Sequence, residues 1–240
     1  YAQGRKSTFE VRELFLQALY DYLEDDIPNR DLDFVYGSTE TDGNNVKFIP
    51  LDGQQRLTTL FLLHWYLAVS SNKTDEFNKT LVQKNKSKFS YLTRTSSSEF
   101  CDALLENSID LSNLLKPDKG QKNSLSKTIK DCGWYFLSWT YDPTILSMLV
   151  MLDAIHEKFQ NKDYFYDRLV NVDKPIITFL YLDLGEFKLT EDLYIKMNSR
   201  GKTLTPYENF KAKFEQHIAN SEGQLEKPYK LIFNDKPTDV

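Results

Sequence analysis

Residues 46 to 68 have the sequence VKFIPLDGQQRLTTLFLLHWYLA. The start of this segment favours a β-strand over residues 46–51, with Pro50 at its end or edge because proline cannot donate a ladder hydrogen bond. Asp52-Gly53 is typical of a tight turn. From Leu57 to Ala68 the apolar residues face nearly every side of a helix, which predicts a central buried helix.

Upstream of this segment, the pattern predicts a helix and a β-hairpin. Residues 9–24 form an amphipathic helix with Thr8 available as its N-cap. A short strand over residues 32–36 precedes the strand at 46–51, and Asp42-Gly43 between them is a favoured hairpin turn. The predicted apolar stripe of the helix consists of Val11, Leu14, Phe15, Ala18, Leu19, Tyr22 and Leu23.

Downstream, residues 72–171 alternate between helical and polar character. Helical segments are predicted at 100–105, 134–139 and 144–159, the last behind Asp142-Pro143, and loops at 84–98 and 116–126. Residues 174–184 form an apolar strand that we expect to be covered on both faces and to rejoin the first sheet. A short helix is expected from Thr190 to Asn198, and the capping box at residues 205–208 starts a helix that ends near Ala219.

These elements predict an α+β fold that is helix-rich overall. Residues 1–71 form the first part of a core, 72–173 an α-helical insertion, and 174–220 the completion of the core. Residues 221–240 are expected to begin a connection to a further domain.

The net charge of −5 argues against a protein that coats nucleic acid over its whole surface. The charge is uneven, however, because residues 79–130 carry ten basic and five acidic side chains. This basic region is either a solvated face or a surface for nucleic acid or another partner.

The cysteines and histidines predict neither a disulfide framework nor a zinc site. Cys101 and Cys132 are expected to be buried thiols, which suits a cytoplasmic location. His64 lies on the apolar helix and is expected to be packed, and no histidine has a partner at metal-ligand spacing. The longest apolar run, residues 60–69, is too short to span a membrane.

The junction at residues 52–56 is the strongest candidate for a binding site. The first amides of a helix are unpaired and carry partial positive charge, so a strand, turn and helix in succession can bind phosphate. Gly53 allows close approach, and the Arg56 guanidinium can pair with two oxygens at once. The structural alternative is that Asp52 caps the helix, Arg56 pairs with a carboxylate, and Gln54 and Gln55 are solvated.

Two segments resemble one family. Residues 51–60, LDGQQRLTTL, resemble the Asp-Gly-Gln-Gln-Arg signature of the N-terminal domains of GmrSD-type restriction endonucleases, relatives of the ParB and sulfiredoxin fold. Residues 194–212, YIKMNSRGKTLTPYENFKA, are similar to the family's Asn-x-Arg-Gly segment. At the front, residues 1–5, YAQGR, are a variant of its Tyr-Gln-Arg motif with small residues interleaved. The resemblance covers most of residues 1–215.

The resemblance implies a small ParB/sulfiredoxin-like mixed sheet and an NTP-binding, NTP-hydrolysing domain that gates a nuclease in bacterial phage defence. It implies Mg²⁺ as cofactor with Asp52 as its partner, and catalytic roles for Asp52, Gln54, Gln55 and Arg56. The nucleotide contacts it implies are Gln3, Arg5, Gly37 in the loop after Tyr36, Gly53, Thr58, Asn198, Arg200 and Lys202.

Two alternatives remain open. By local sequence, Asn198, Arg200 and Lys202 sit at a helix end, where cations neutralise the helix dipole. The whole domain could also be a non-catalytic DNA-binding or protein-interaction module, with DNA bound through the basic region 79–130 or through a downstream nuclease domain. Oligomer formation is compatible with either hypothesis.

Overall fold

The computed structural model describes residues 6–43, 45–111 and 124–183. Two hairpins, several helices and a late strand follow one another along these residues. In chain order the elements are α1 (Lys6–Asp25), β1 (Arg30–Asp42), β2 (Asn45–Pro50), α2 (Gln54–Ser70), α3 (Thr74–Leu81), β3 (Val82–Gln83), β4 (Lys86–Ser87), α4 (Thr95–Glu106), α5 (Leu125–Lys130), a 3₁₀ helix (Leu137–Tyr141), α6 (Pro143–Phe159), α7 (Phe165–Leu169) and β5 (Ile177–Asp183).

β1 is the central strand of a three-stranded mixed sheet with the order β2-β1-β5. β2 is antiparallel to β1, and its last residue, Pro50, lies opposite Gly37. β5 is parallel to β1, with a register shift between Asp31 and Phe34 of β1. A parallel pair requires a long crossover, which the helices between β2 and β5 supply. The predictions of an α+β, helix-rich fold and of a late strand that rejoins the first sheet are confirmed.

α2 lies in the hydrophobic core, as its apolar pattern predicts. The indole N–H of Trp65 donates to the carbonyl oxygen of Leu104 in α4 at 2.7 Å. Tyr66 and His156 of α6 form a hydrogen bond of 3.0 Å between the hydroxyl and Nδ1. Each large apolar side chain buried in this way contributes about 1.5–3 kcal/mol, so α2 is firmly held. Its buried residues are Thr59, Leu60, Phe61, Leu62, Leu63, Trp65, Tyr66, Leu67 and Ala68.

α6 begins where the Asp142-Pro143 pair predicts. The carboxylate of Asp142 accepts from the backbone N–H of Thr144 at 2.7 Å and of Ile145 at 3.3 Å. These bonds satisfy two of the amides that a helix leaves unpaired at its start. The helix runs to Phe159 and packs against α2.

α1 buries most of the predicted stripe but not its first two residues. Val11 and Leu14 are 52% and 71% exposed. Because α1 begins at Lys6, Thr8 lies inside the helix and is not its N-cap. The apolar arc of α1 is wider than its contact with α6 and α7, so the packing keeps Leu19 and Leu23 of the predicted stripe and adds Leu16. The fully buried residues are Leu16, Leu19 and Leu23.

β1 is longer than predicted, and the expected loop after Gly37 is a strand. Residues 38–42 are polar and carry little strand signal, but they pair with β2 through backbone hydrogen bonds. β5 is less covered than predicted, since Leu180 and Tyr181 are 49% and 57% exposed.

Two predictions within residues 84–139 are wrong, and a third is wrong at its end. The expected loop at 84–98 contains the turn and the second strand of the β3–β4 hairpin and the first turn of α4. The predicted helix at 134–139 is replaced by a 3₁₀ helix that starts at Leu137. The expected loop at 116–126 includes the first residues of α5, while residues 112–123 lie outside the described part.

The short helix predicted from Thr190 and the capping box at 205–208 also lie outside the described residues. Among the helices that the structure does describe, none is long and apolar enough to cross a membrane.

Candidate functional site

The candidate site is the turn between β2 and α2, residues 51–56, which we call the α2 entry. β2 ends at Pro50, and the chain then folds back on β1. The backbone N–H groups of Leu51 and Asp52 both donate to the carbonyl oxygen of Tyr36, at 2.8 and 3.2 Å. The start of α2 is therefore fixed to the middle of the central strand.

Gly53 makes this turn possible. Its φ of 85° lies in the left-handed region, which glycine adopts without a steric penalty. A Cβ at this position would also lie 3.1 Å from Cγ2 of Val35. Gly53 is the N-cap residue, and no side chain caps the helix. The alternative in which Asp52 caps α2 is therefore wrong.

The first backbone N–H groups of α2 have no acceptor within the helix. The first bond after the cap runs from the N–H of Leu57 to the carbonyl oxygen of Gly53, at 2.9 Å. The N–H groups of Gln54, Gln55 and Arg56 precede it, as in every α-helix, and carry the positive end of the helix dipole. This arrangement can attract an anion.

Arg56 is turned toward β1. Its Nη1 donates to the carbonyl oxygen of Leu32 at 2.6 Å, and its Nη2 to that of Phe34 at 2.7 Å. Nη2 also lies 3.3 Å from Oδ2 of Asp52. The Arg56 side chain is 19% exposed and that of Asp52 is 50% exposed. The alternative in which Arg56 pairs with a carboxylate is thus confirmed. Arg56 also donates to two backbone carbonyl oxygens, which the sequence did not predict.

The other polar side chains in and next to the α2 entry differ in whether they form hydrogen bonds. Nε2 of Gln54 donates to the carbonyl oxygen of Pro50 at 3.0 Å. The Thr58 hydroxyl donates to the carbonyl oxygen of Gln54 at 2.8 Å and lies 2.9 Å from the hydroxyl of Tyr91. Gln55 is exposed, and its side chain has no hydrogen-bond partner among the described residues.

Tyr91 is a neighbour of the site that the sequence analysis did not identify. Burial raises its pKa to about 12, so the hydroxyl stays protonated at neutral pH. It lies in the stretch predicted to be a loop, where a single tyrosine gives no signal of contact with α2.

Gly37 lies in β1 at the end of the β1–β2 pairing. A Cβ there would lie 2.1 Å from the carbonyl oxygen of Ile49 and 2.8 Å from the Cα of Pro50. The close approach of β2 therefore requires glycine at this position.

The structure thus brings together Gly37, Thr58 and residues 52–56 of the predicted site. The other predicted contacts, Gln3, Arg5, Asn198, Arg200 and Lys202, lie outside the described residues.

The remaining candidate groups fit structural roles. The Nδ1–H of His64 donates to the carbonyl oxygen of Leu60 at 2.7 Å, and burial lowers its pKa, as for a packed histidine. Cys101 is buried as predicted, whereas Cys132 is only partly buried. Within the described ranges, no group of three or more His, Cys, Asp or Glu side chains is placed to hold a metal ion.

An open depression of about 790 Å³ lies elsewhere, between the starts of α4 and α6. Arg94, Tyr141 and Asp142 are among its lining residues, and none of the predicted site residues is. The side chains of Ser96 and Ser97 donate to Asp142 there, so the carboxylate is already occupied.

Comparison with known proteins gives one match. Residues 9–215 match the model of the family described as GmrSD restriction endonuclease, N-terminal domain. No curated protein and no solved structure matches the chain.

Proposed function

Because the chain belongs to the family of N-terminal domains of GmrSD restriction endonucleases, we propose that it is the NTP-binding regulatory domain of a phage-defence protein. In this proposal it binds an NTP with Mg²⁺, hydrolyses it, and gates a nuclease domain that acts on DNA. Gating requires that the nuclease respond to the nucleotide state of this domain.

The uncapped start of α2 is the main support for the proposal. Its first amides have no side-chain cap. Gln55 is exposed next to these amides and Asp52 is half exposed. A negatively charged phosphate group is stabilised at such a helix start.

The side chains of the α2 entry supply the remaining chemistry. We assign Asp52 as the partner of Mg²⁺, since a carboxylate is a preferred ligand of that ion. In this proposal Gln55 orients the attacking water, with Gln54 as the second candidate. Gln3, Arg5, Asn198, Arg200 and Lys202 would supply further contacts with the nucleotide, with Arg200 as a charge clamp. The parallel β1–β5 pair and the antiparallel β2 suit a ParB/sulfiredoxin-like core, which we also propose.

A thermal-shift assay with a panel of NTPs and Mg²⁺ tests nucleotide binding. Ligand at about 100 times its Kd adds roughly 2.7 kcal/mol of stability. In a chain of this size that corresponds to a rise in Tm of several degrees. No shift with any NTP would contradict the proposal.

Gln55→Glu then tests the place of binding. An added carboxylate in the first turn favours the helix through its dipole, so the variant should be at least as stable as the wild type. It also repels phosphate, so NTP affinity should fall at least about tenfold. Gln160→Glu at the C-cap of α6 is the matched control and should keep its affinity. Equal affinities of the two variants would count against the α2 entry.

A second candidate function is DNA binding through the β3–β4 hairpin. Lys84 and Asn85 have φ values of 53° and 59°, which form a tight turn between the two strands. The backbone N–H of Ser87 donates to Asp102 of α4 at 2.7 Å and ties the hairpin to the helix. The hairpin is therefore held against α4.

The charge of this hairpin favours a polyanionic partner. Residues 77–98 contain five basic and no acidic side chains. Four of these are the exposed lysines 79, 84, 86 and 88, and in the described part of the chain none of them forms an ion pair. Lysines placed in this way can replace the counterions of a phosphate backbone.

Duplex affinity measured across a salt series tests this candidate. Reversing the charge of Lys84, Lys86 and Lys88 should weaken binding and reduce the slope of log K against log salt by about 2–3. Reversal of Lys47, Lys158 and Lys174, which lie outside residues 79–130, controls for net charge. Equal effects of the two triple variants would contradict a specific role of the hairpin.

A further inference from the structure

We infer that Arg56 is a positioning residue that holds the start of α2 against β1. Its guanidinium donates hydrogen bonds to the edge of β1 where β2 has ended, as a neighbouring strand would. The inference about nucleotide rests on the proposed function, whereas the inference about the sheet edge does not.

The edge of β1 beside α2 shows how Arg56 takes this role. Alternate carbonyl groups of a strand point toward the same neighbour, and β2 pairs with β1 only from Gly37 onward. The next carbonyls on that edge belong to Tyr36, Phe34 and Leu32. The first accepts from the backbone of Leu51 and Asp52, and the other two accept from Arg56. Backbone and guanidinium together therefore fill three successive positions.

The shape of the guanidinium suits this role. A guanidinium has a rigid planar fork of N–H groups that can reach two carbonyl oxygens at once, whereas the ammonium of lysine is a compact point donor. The two bonds measure 2.6 and 2.7 Å, and Asp52 neutralises the charge beside them. These contacts favour arginine specifically at position 56.

The bonds that Arg56 already makes limit what it can bind. Each Nη carries two N–H groups, and both of those on Nη2 are used, one by Phe34 and one by Asp52. Pairing a phosphate with both Nη atoms would therefore cost Nη2 one of these partners, whereas the helix amides and Gln55 can bind an anion without breaking a bond. Arg56 would then affect affinity through the placement of these amides.

Amide hydrogen exchange of the nucleotide-free chain, followed by NMR, tests the strand-like role. In Arg56→Ala and Arg56→Lys, the amides of Leu51 and Asp52 should exchange at least about tenfold faster than in the wild type. The matched control is Arg168→Ala, because Nη1 of Arg168 also donates to two backbone carbonyls, those of Leu23 and Glu24 at 2.6 and 3.0 Å. Wild-type exchange at these amides in Arg56→Lys, or equal exchange in Arg168→Ala, would overturn the inference.

Nucleotide titration across a salt series tests the indirect effect on binding. Both Arg56 variants should lose at least about tenfold in affinity, with the salt dependence of the wild type, because no charge contact with the ligand is removed. Retained affinity in Arg56→Lys, or a reduced salt dependence, would show a direct charge contact and overturn the positioning role. If the wild-type chain binds no NTP, the proposed function fails, and the exchange experiment still decides the role of Arg56 at the sheet edge.

Discussion

Gly37→Ala should disrupt the sheet beside the α2 entry, because β2 leaves no room for a methyl group at this position. The added Cβ would lie 2.1 Å from the carbonyl oxygen of Ile49 and 2.8 Å from the Cα of Pro50. Both are backbone atoms, so a strand must move by about 1 Å to restore van der Waals contact. Such overpacking costs about 2–3 kcal/mol, which corresponds to a fall in Tm of roughly 5–10 °C.

Gly133→Ala is the matched control for this prediction. A Cβ at Gly133 meets no atom within 4 Å, so the same chemical change should be nearly neutral. Denaturant unfolding of the two variants gives the free energy of unfolding directly. Equal stabilities of Gly37→Ala and Gly133→Ala would refute the close approach of β2 to β1.

Three further predictions concern the helical part of the chain. Burial is the largest single influence on Asp142 and raises its pKa. Hydrogen bonds from Ser96 and from the start of α6 together outweigh burial, so the pKa is lowered overall. Its contribution to stability should therefore be complete above the unfolded pKa of about 3.9 and be lost as the pH falls through the lower folded pKa. Asp142→Ala should cost about 1–2 kcal/mol at pH 7, and denaturant unfolding should show this difference shrinking below about pH 4; a constant difference would contradict the assignment. Because Cys101 is buried and Cys132 is only partly buried, a thiol-reactive dye should label Cys132 first and Cys101 only on unfolding; simultaneous labelling of the folded protein would argue against this burial. Trp65→Phe should lower the free energy of unfolding by about 1–3 kcal/mol, since the carbonyl of Leu104 loses its donor, and a neutral effect in denaturant unfolding would contradict that contact.

The local signals of the sequence predict the helices best. α2 and α6 follow from apolar periodicity and from the Asp142-Pro143 start, which depend only on neighbouring residues. α1 shows the limit of this approach, because its apolar arc is wide and only the packing partners select Leu16, Leu19 and Leu23 over Val11 and Leu14.

Strands formed by polar residues were not predicted. Residues 38–42 of β1 and the β3–β4 hairpin lack apolar alternation, so their pairing depends on a partner strand and on turn residues rather than on side-chain pattern.

The sequence predicted the strand, turn and helix of the candidate site and a carboxylate as one possible partner of Arg56, but it did not identify Asp52 as that carboxylate. It could not identify the carbonyls of Leu32 and Phe34 as partners of Arg56. Every residue has a carbonyl group, so a backbone acceptor leaves no mark in the amino-acid pattern.

The proposed function requires an anion site at the first amides of α2. Titration of the chain with Mg²⁺ and an NTP, followed by the backbone amide shifts in NMR spectra, locates that site directly. We expect the largest shifts at Gln54, Gln55 and Arg56. Shifts confined to other residues, such as those around Arg94 and Tyr141, would contradict this account.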